Sequence, residues 1–417
     1  MIMVQLVERH NISKASQYYE ILDKNCFLSK NLYNATLYQI RQEFINNGKF
    51  LNYYELQKKF QDEHQPDYYA LPSKVAQKIM KSVDESFRSF FKANKSYIEN
   101  PSKFTGRPKI LKYKDKIHGR YMLIYTYQAI SKKILENEGL IKLSGLDVYI
   151  RTKVKYNELC EVRVVKRINS YMVEVVYNKD VIAEKEDNSL YAAIDLGVSN
   201  FATMVSNKER FQPIIIDGKE IKSYNRYYNK ELSKKKSILK TRNDKESSES
   251  VKKLTEKRKN KLDDFIHKTS RYLVNQLVSN GINTLIVGHN KEWKQDINIG
   301  KVNNQNFVQL PHSEFIEKLR YKCHLAGIKF IENEESYTSK CSFLDGEEIC
   351  KHEKYVGKRI CRGLFRSCSG VLINADVNGA YNILRKCKPK VFTNGVVGVV
   401  VHPVRHKIVK KNINVIH

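Results

Sequence analysis

The sequence predicts a multidomain α/β protein, and three features predict it. Its 417 residues exceed what one ordinary core accommodates at roughly 100 to 200 residues per domain. The apolar pattern is helical before about residue 95, alternating between 121 and 177, and a mixture of strands and helices thereafter. Lys and Arg number 74 against 45 Asp and Glu, a formal charge of +29, and such an excess attracts polyanions through phosphate neutralisation and counterion release. Nucleic acid is the expected partner; a simply basic or ribosome-associated protein is the alternative.

The elements follow in chain order. LYNATLYQIRQEFI (32–45) and VAQKIMKSVDESFRSFFKA (75–93) carry apolar residues at i, i+3, i+4 and i+7, so a helical module is predicted, with Ser73 as a helix cap. KFTGRPKILKYKDK (103–116) has six Lys or Arg in fourteen residues and reads as a basic loop. LDVYIRTKV (146–154), CEVRVVKRI (160–168) and YMVEVVYN (171–178) alternate as antiparallel strands of a small β-barrel or sandwich. MIMVQLVER at the start can join them, which makes the helices an insertion. After the acidic AEKEDNS (183–189) come YAAIDLGVSNFATMV, PIIIDGKEIKS, a basic helical stretch from Tyr224 to Val278, NTLIVGHN, HSEFIEKLRYKCHLAG (312–327) and IKFIEN (328–333). That order is the order of an RNase H-like α/β core. Residues 336–370 read as an irregular insertion and LINADVNGAYNILRK (372–386) as a closing helix. The expected divisions are 1–20, 21–100, 101–185, 186–335, 336–371 and 372–417. The charge run at 231–261 reads first as a solvated helical hairpin and second as a binding arm.

Asp195, in AAIDLG, ends a buried strand before a glycine, where a carboxylate is costly unless paired or holding a cation; a turn-capping aspartate is the plain alternative. Asp376, in INADVNGAYNI, opens a helix, where the dipole favours its charge, and Asn378 and Asn382 form a polar stripe beside it; a simple cap is again the alternative. Cys341, Cys350, Cys361 and Cys368 follow C-x8-C-x10-C-x6-C, without the short knuckles a structural zinc site uses, so zinc is not expected. No apolar stretch approaches the roughly 18 residues of a membrane span, and residues 1–15 carry no secretory pattern. A cytoplasmic protein with no membrane partner is expected. The sequence carries no signal for oligomeric state.

DLGVSNFATM, HKTSRYLV (267–274), TLIVGHN, SYTSK (336–340) and NADVNGAYNIL together resemble the RuvC-type nuclease domain of TnpB, the RNA-guided DNA nuclease of bacterial insertion sequences, related to type V CRISPR effectors. LYNATLYQIRQEF, GRPKILKYK and the strands to 177 resemble that family's helical recognition domain and β-barrel wedge domain. The resemblance implies a nucleoid-associated protein that binds a transposon-derived guide RNA and cleaves matching double-stranded target DNA beside a short flanking motif. It also implies three acids around two Mg²⁺ ions: Asp on the first strand, Glu on the fourth and Asp on the last helix. Asp195 and Asp376 fill the outer places, and the middle one falls on Gly288.

Three explanations compete for that glycine: loss of catalysis, leaving a guided repressor; a contribution from Glu292; or relocation to Glu335, with Glu334 as alternative, just past the next strand. Neighbouring strands about 4.8 Å apart leave a Glu side chain within reach, so relocation is the expectation, against a solvated acidic loop. The zinc-ribbon position of relatives falls in 341–370, where Lys358, Arg359, Arg362 and Arg366 could meet the substrate strand. Arg107, Lys109, Lys112 and Lys114 are the expected guide-RNA or duplex contacts, positioning rather than specifying; Lys74, Gln77, Lys78 and Lys81 form a second candidate face, or plain solvation. A DNA transposase sharing the RNase H core is the third functional class.

Overall fold

The computed structural model describes residues 3–243, 247–289, 310–361, 363–392 and 401–408. They divide into two compact units, residues 3–179 and the residues from Asp180 onward. The first unit contains β1 (Met3–Ser13), α1 (Tyr19–Asn47), α2 (Tyr53–Asp62), α3 (Pro66–Tyr69) and α4 (Ser73–Glu99). These are followed by β2 (Leu123–Thr126), α5 (Lys132–Glu138), β3 (Leu140–Lys142), β4 (Tyr149–Arg151), β5 (Leu159–Lys166) and β6 (Ser170–Asp180). Gly48 ends α1 by taking φ 63°, which a side chain would resist. Asn52 and Glu55 open α2 with reciprocal side-chain to backbone hydrogen bonds. The cap predicted at Ser73 is displaced: Ser73 is the first helical residue, and the extended Pro72 stands at the N-cap, its carbonyl accepting from the Val75 and Ala76 N–H groups.

The strands run in the order β1-β6-β5-β2. Since β1 lies beside β6, α1 to α4 are an insertion between strands of one sheet. Val162, Val164, Val173 and Val175 face a core shared with Leu22, Leu37, Ile79 and Phe87 of the helices, and with Ile141 and Ile150 of the separate β3–β4 pair. The strand predicted over 146–154 shortens to Tyr149–Arg151. Beyond it the Thr152 hydroxyl accepts the Val154 N–H at 3.1 Å, a local bond that competes with strand pairing.

The second unit contains β7 (Tyr191–Leu196), β8 (Asn200–Ser206), β9 (Ile214–Asp217), α6 (Lys219–Asn243), α7 (Glu249–Ser279), β10 (Thr284–Gly288), α8 (His312–Leu325) and β11 (Lys329–Asn333). It continues with β12 (Lys358–Cys361), β13 (Leu364–Arg366), β14 (Leu372–Asn374), α9 (Ala375–Cys387) and β15 (Val404–His406). Its main sheet has the order β11-β10-β7-β8-β9-β15. β10 is parallel to both neighbours, β7, β8 and β9 are antiparallel, and β15 is parallel to β9. One face carries Ala192, Ile194, Leu285 and Val287 under Leu262, Phe265 and Leu273 of α7 and Phe315 and Leu319 of α8. The other carries Ala193, Val205 and Ile286 under Val377, Ala380 and Ile383 of α9. Because strand side chains alternate, Asp195 and Gly288 fall on the α9 face. This is the predicted RNase H-like core. Two local expectations change: Leu372–Asn374 is a strand rather than the first helical turn, and the insertion is not wholly irregular, since β12, β13 and β14 form an antiparallel sheet. No helix among the described residues is long and apolar enough to cross a membrane.

The first unit is joined across its core by Asp23 on α1. Its carboxylate accepts from Arg120 at 2.7 Å, Lys166 at 2.9 Å and Tyr171 at 2.6 Å. Burial alone would push this acid up, but those three donors outweigh it and hold it well below the usual carboxylate range. A depressed folded pKa gives stability that is full above the unfolded value of about 3.9 and lost on acidification. Asp23→Asn is therefore expected to lower unfolding stability by about 1–3 kcal/mol at neutral pH, and urea titrations should show the gap closing as the pH falls below about 4.

Candidate active site

Asp195 is the penultimate residue of β7, where the chain must turn at once into β8. Gly197 makes the turn: a Cβ there would lie 2.5 Å from the Asn200 carbonyl oxygen. His312, buried at the start of α8, places its Nε2 3.1 Å from the Gly197 carbonyl, so the turn is supported from the helix side. On the opposite face, a Cβ on Gly379 would stand 3.0 Å from Asp195 Oδ2. A glycine inside a helix costs about 1 kcal/mol relative to alanine; here it lets the α9 backbone approach the carboxyl. Asp195 is pushed well above the normal carboxylate range, first by burial and then by the negative charges of Glu335 and Asp376, with Arg359 and the Leu196 N–H opposing.

Gly288 sits beside it. Val287 pairs with Ile194, so the parallel register carried one residue further sets Gly288 opposite Asp195. On its other side Gly288 pairs with Asn333. A Cβ at Gly288 would lie 2.5 Å from Ile383 Cδ1 and 2.7 Å from Glu335 Oε2. The Glu335 carboxylate therefore occupies the space above the bare glycine, arriving from the neighbouring strand. Its approach is fixed by the turn after β11. Glu334 points away, bonded to Lys386 Nζ and to the Ser336 N–H and hydroxyl. Tyr337 takes φ 67°, and both the N–H and hydroxyl of Thr338 donate to the Glu335 carbonyl, at 3.2 and 2.8 Å. Burial and the charge of Glu334 push Glu335 up to about 7, with Lys386 opposing.

Asp376 opens α9 under the Asn374 cap, whose side chain accepts from the Asp376 and Val377 N–H groups. Its carboxylate accepts from Asn200 Nδ2 at 2.5 Å, and Asn200 Oδ1 in turn accepts from Arg405 Nη1 of β15 at 2.9 Å. Arg359 Nη2 stands 3.9 Å from the other Asp376 oxygen. Among the described residues no three His, Cys, Asp or Glu side chains already converge as ligands of one ion; Asp376 is drawn toward Asn200 and Arg359 instead. The donors on offer are nonetheless carboxylate oxygens and one amide, the hard ligands that suit magnesium.

Sequence reasoning missed Asn200, Gly379 and Arg405. A glycine inside a helical pattern is a recognisable signal of close approach; Arg405 gave none, because only the sheet brings it to a residue 205 positions away. The polar stripe of Asn378 and Asn382 faces the 338–343 segment. They are fully buried and clamp the insertion, bonding the Thr338 and Cys341 carbonyls and the Phe343 N–H.

Glu292 and Arg362 lie outside the described residues. Cys341 is buried, Cys350 lies beside His352, and Cys361 and Cys368 are exposed, with the Cys368 thiol on Asp345. Arg107, Lys109, Lys112 and Lys114 are all exposed, as are Lys74 and Lys81, whereas Lys78 lies 3.8 Å from Glu161 and Gln77 is half-buried.

The strand order is that of an RNase H-like core, consistent with a RuvC-like fold. Residues 174–294 match the family described as a probable transposase, OrfB_IS605, and residues 312–383 match the Cas12f1-like TNB domain. The TnpB-like protein ORF457 of Acidianus two-tailed virus is 24% identical over 91% of this chain and 84% of its own. The cryo-EM structure of a Cas12f1-sgRNA-target DNA complex is 15% identical, covering 87% of this chain and 82% of that one, with a TM-score of 0.50. The mini-RNA-guided endonuclease CRISPR-Cas_phi3 is 10% identical over 92% of each chain, with a TM-score of 0.44. Over residues 174–294 and 312–383, and along most of its length, the chain is similar to TnpB-type proteins.

Two measurements follow from the Gly288–Glu335 contact. A raised folded pKa means that the native state holds its proton longer than the unfolded one. The resulting stability is full below the unfolded value of about 4.3 and is lost as pH rises through about 7. Urea unfolding in EDTA is expected to show up to about 3 kcal/mol of destabilisation from this group across that window, and Glu335→Gln should remove that share while the contribution of Asp195 remains. Gly288→Ala sets a methyl against Ile383 and the Glu335 carboxylate; a loss of about 1–3 kcal/mol is expected in the same assay.

Proposed function

We propose that this chain is an RNA-guided DNA endonuclease: it binds a transposon-derived guide RNA and cleaves matching double-stranded DNA beside a short flanking motif by metal-dependent phosphodiester hydrolysis. The observation that carries the reading is the Glu335 carboxylate standing 2.7 Å from the absent Gly288 side chain, on the sheet face that holds Asp195. Asp195, Glu335 and Asp376 are the proposed catalytic residues and Mg²⁺ ligands, with Glu334 retained on the surface by Lys386. Two bound magnesium ions would supply an activated water and stabilise the leaving oxygen.

The chain's own groups do the rest. Asp195 and Glu335 hold protons more tightly than ordinary acids, so loading the site requires deprotonation, and ion binding releases protons. Asn200 orients Asp376 through one oxygen, leaving the other beside Arg359. Arg359 is half-exposed and offers a guanidinium to a phosphate at the edge of the acids. The exposed Arg107, Lys109, Lys112 and Lys114, with Lys74 and Lys81, supply backbone contacts to guide or duplex, while base pairing sets the target. Such a protein would work in the cytoplasm, on the nucleoid.

The second reading, a guided repressor without nuclease activity, is favoured by the bare Gly288 and by Asp376 being engaged elsewhere. Purification with the bound RNA, followed by incubation with matched duplex and Mg²⁺, decides between them. Glu335→Gln and Asp195→Asn are expected to lower the cleavage rate about 10²- to 10³-fold, corresponding to several kcal/mol of lost charge stabilisation. Glu334→Gln should stay within about threefold of the parent. Undiminished cutting by Glu335→Gln would remove this residue from the site, and guided binding by the parent without any cutting would establish the repressor. A preparation with no discrete RNA would point to a transposase.

A further inference from the structure

The α6–α7 hairpin carries seventeen Lys or Arg against six acids, and its side chains divide into those holding the two helices together and those left on the outside. Tyr228 belongs to the first group. It is buried, its hydroxyl lies 3.1 Å from Thr255, and Arg258 covers its ring at 4.9 Å while bonding Asn225 at 2.8 Å. Tyr224 and Tyr227 belong to the second. They line an open groove of about 680 Å³ with Lys257, Asn260, Lys261 and Glu220, and Tyr227 remains 55% exposed.

We propose that this groove binds a single nucleic-acid strand, stacking one unpaired base on Tyr227 and placing the adjoining phosphate on Lys257. The two tyrosine rings are 6.3 Å apart and tilted by 37°. At that spacing aromatic rings contact each other, so no base enters between them; Tyr224 backs Tyr227, whose outer face is the platform. Lys261 is held 2.7 Å from Glu220, whereas Lys257 is exposed and has no ion-pair partner among the described residues. Asn260, exposed beside it, offers an amide donor and acceptor to a base edge. An aromatic platform next to an unneutralised cation is the sequence-tolerant chemistry of single-strand binding. The inference deepens the proposed function by giving it a strand-holding site, yet the site can be tested without catalysis.

The probe is a single strand of about 12 nucleotides with a central 2-aminopurine, made as DNA and as RNA, with a fully paired duplex as third arm. Each is titrated into the full-length chain, freed of co-purified RNA by high salt and kept in EDTA. Binding should quench the 2-aminopurine in at least one single-stranded arm, and the arm that binds more tightly identifies the strand. Tyr227→Ala should abolish the quench and weaken binding about 5- to 100-fold, as expected for one lost base–aromatic stack. Tyr227→Phe should keep both, and Lys257→Ala should lower the salt slope by about 0.7. Unaltered melting of each variant shows that the fold is kept. Quenching and affinity unchanged in Tyr227→Ala, or duplex bound with the same dependence on Tyr227, would overturn the proposal. Guide pairing and cleavage play no part in the assay, so failure of the nuclease reading leaves its outcome unaffected.

Discussion

The second unit is organised around the difficulty of keeping several carboxylates on one face of a packed sheet. Asp195 lies between a buried strand and the backbone of α9, and each acid brought near it raises the free energy of ionisation. Two devices visible in the fold moderate that cost. Protons remain on Asp195 and Glu335 further up the pH scale than on ordinary acids, and Asn200 and Arg359 draw Asp376 aside. Such a site is stable when protonated and becomes frustrated when ionised without a cation. A positive charge placed among these acids would relieve that frustration.

The helix α9 couples the parts through its periodicity. Asp376, Gly379, Ile383 and Lys386 recur at helical spacing on the side that meets the acid-bearing strand ends: an acid, a gap for Asp195, a wall for the Gly288 cradle and an anchor for Glu334. Asn378, Asn382 and Arg385 recur on another side and hold the insertion, which contributes the turn at 336–341. One helix thus sets the position of Asp376 directly and that of Glu335 through the loop it anchors. A shift of α9 along its axis would disturb both together.

The strand–helix order of this unit was legible from periodicity, and Glu335, as the residue able to reach across, from strand spacing, whereas Gly288 was singled out only by the family resemblance. The sequence was uninformative where long-range placement decides. Nothing local marks Arg405, which arrives on the last strand of the sheet. The spacing marked Asn378 and Asn382 as a polar pair but not their partners, because the carbonyls they bond lie some forty residues away. The Ser73 cap failed for a smaller reason: a preceding proline already holds the extended conformation that an N-cap requires.

At Gly288 the space that a side chain would fill is taken by a carboxylate from the next strand. A side chain rooted at Gly288 would leave the strand perpendicular to the sheet, in the space now filled by Ile383 and Glu335. Glu335, just past the end of β11, delivers its oxygen to that location because the turn after Asn333 holds the backbone. The left-handed Tyr337 and the two bonds from Thr338 to the Glu335 carbonyl provide that hold. A carboxylate placed at position 288 would therefore require a second change, since it would meet Glu335 already in place, adding steric overlap and a further like charge.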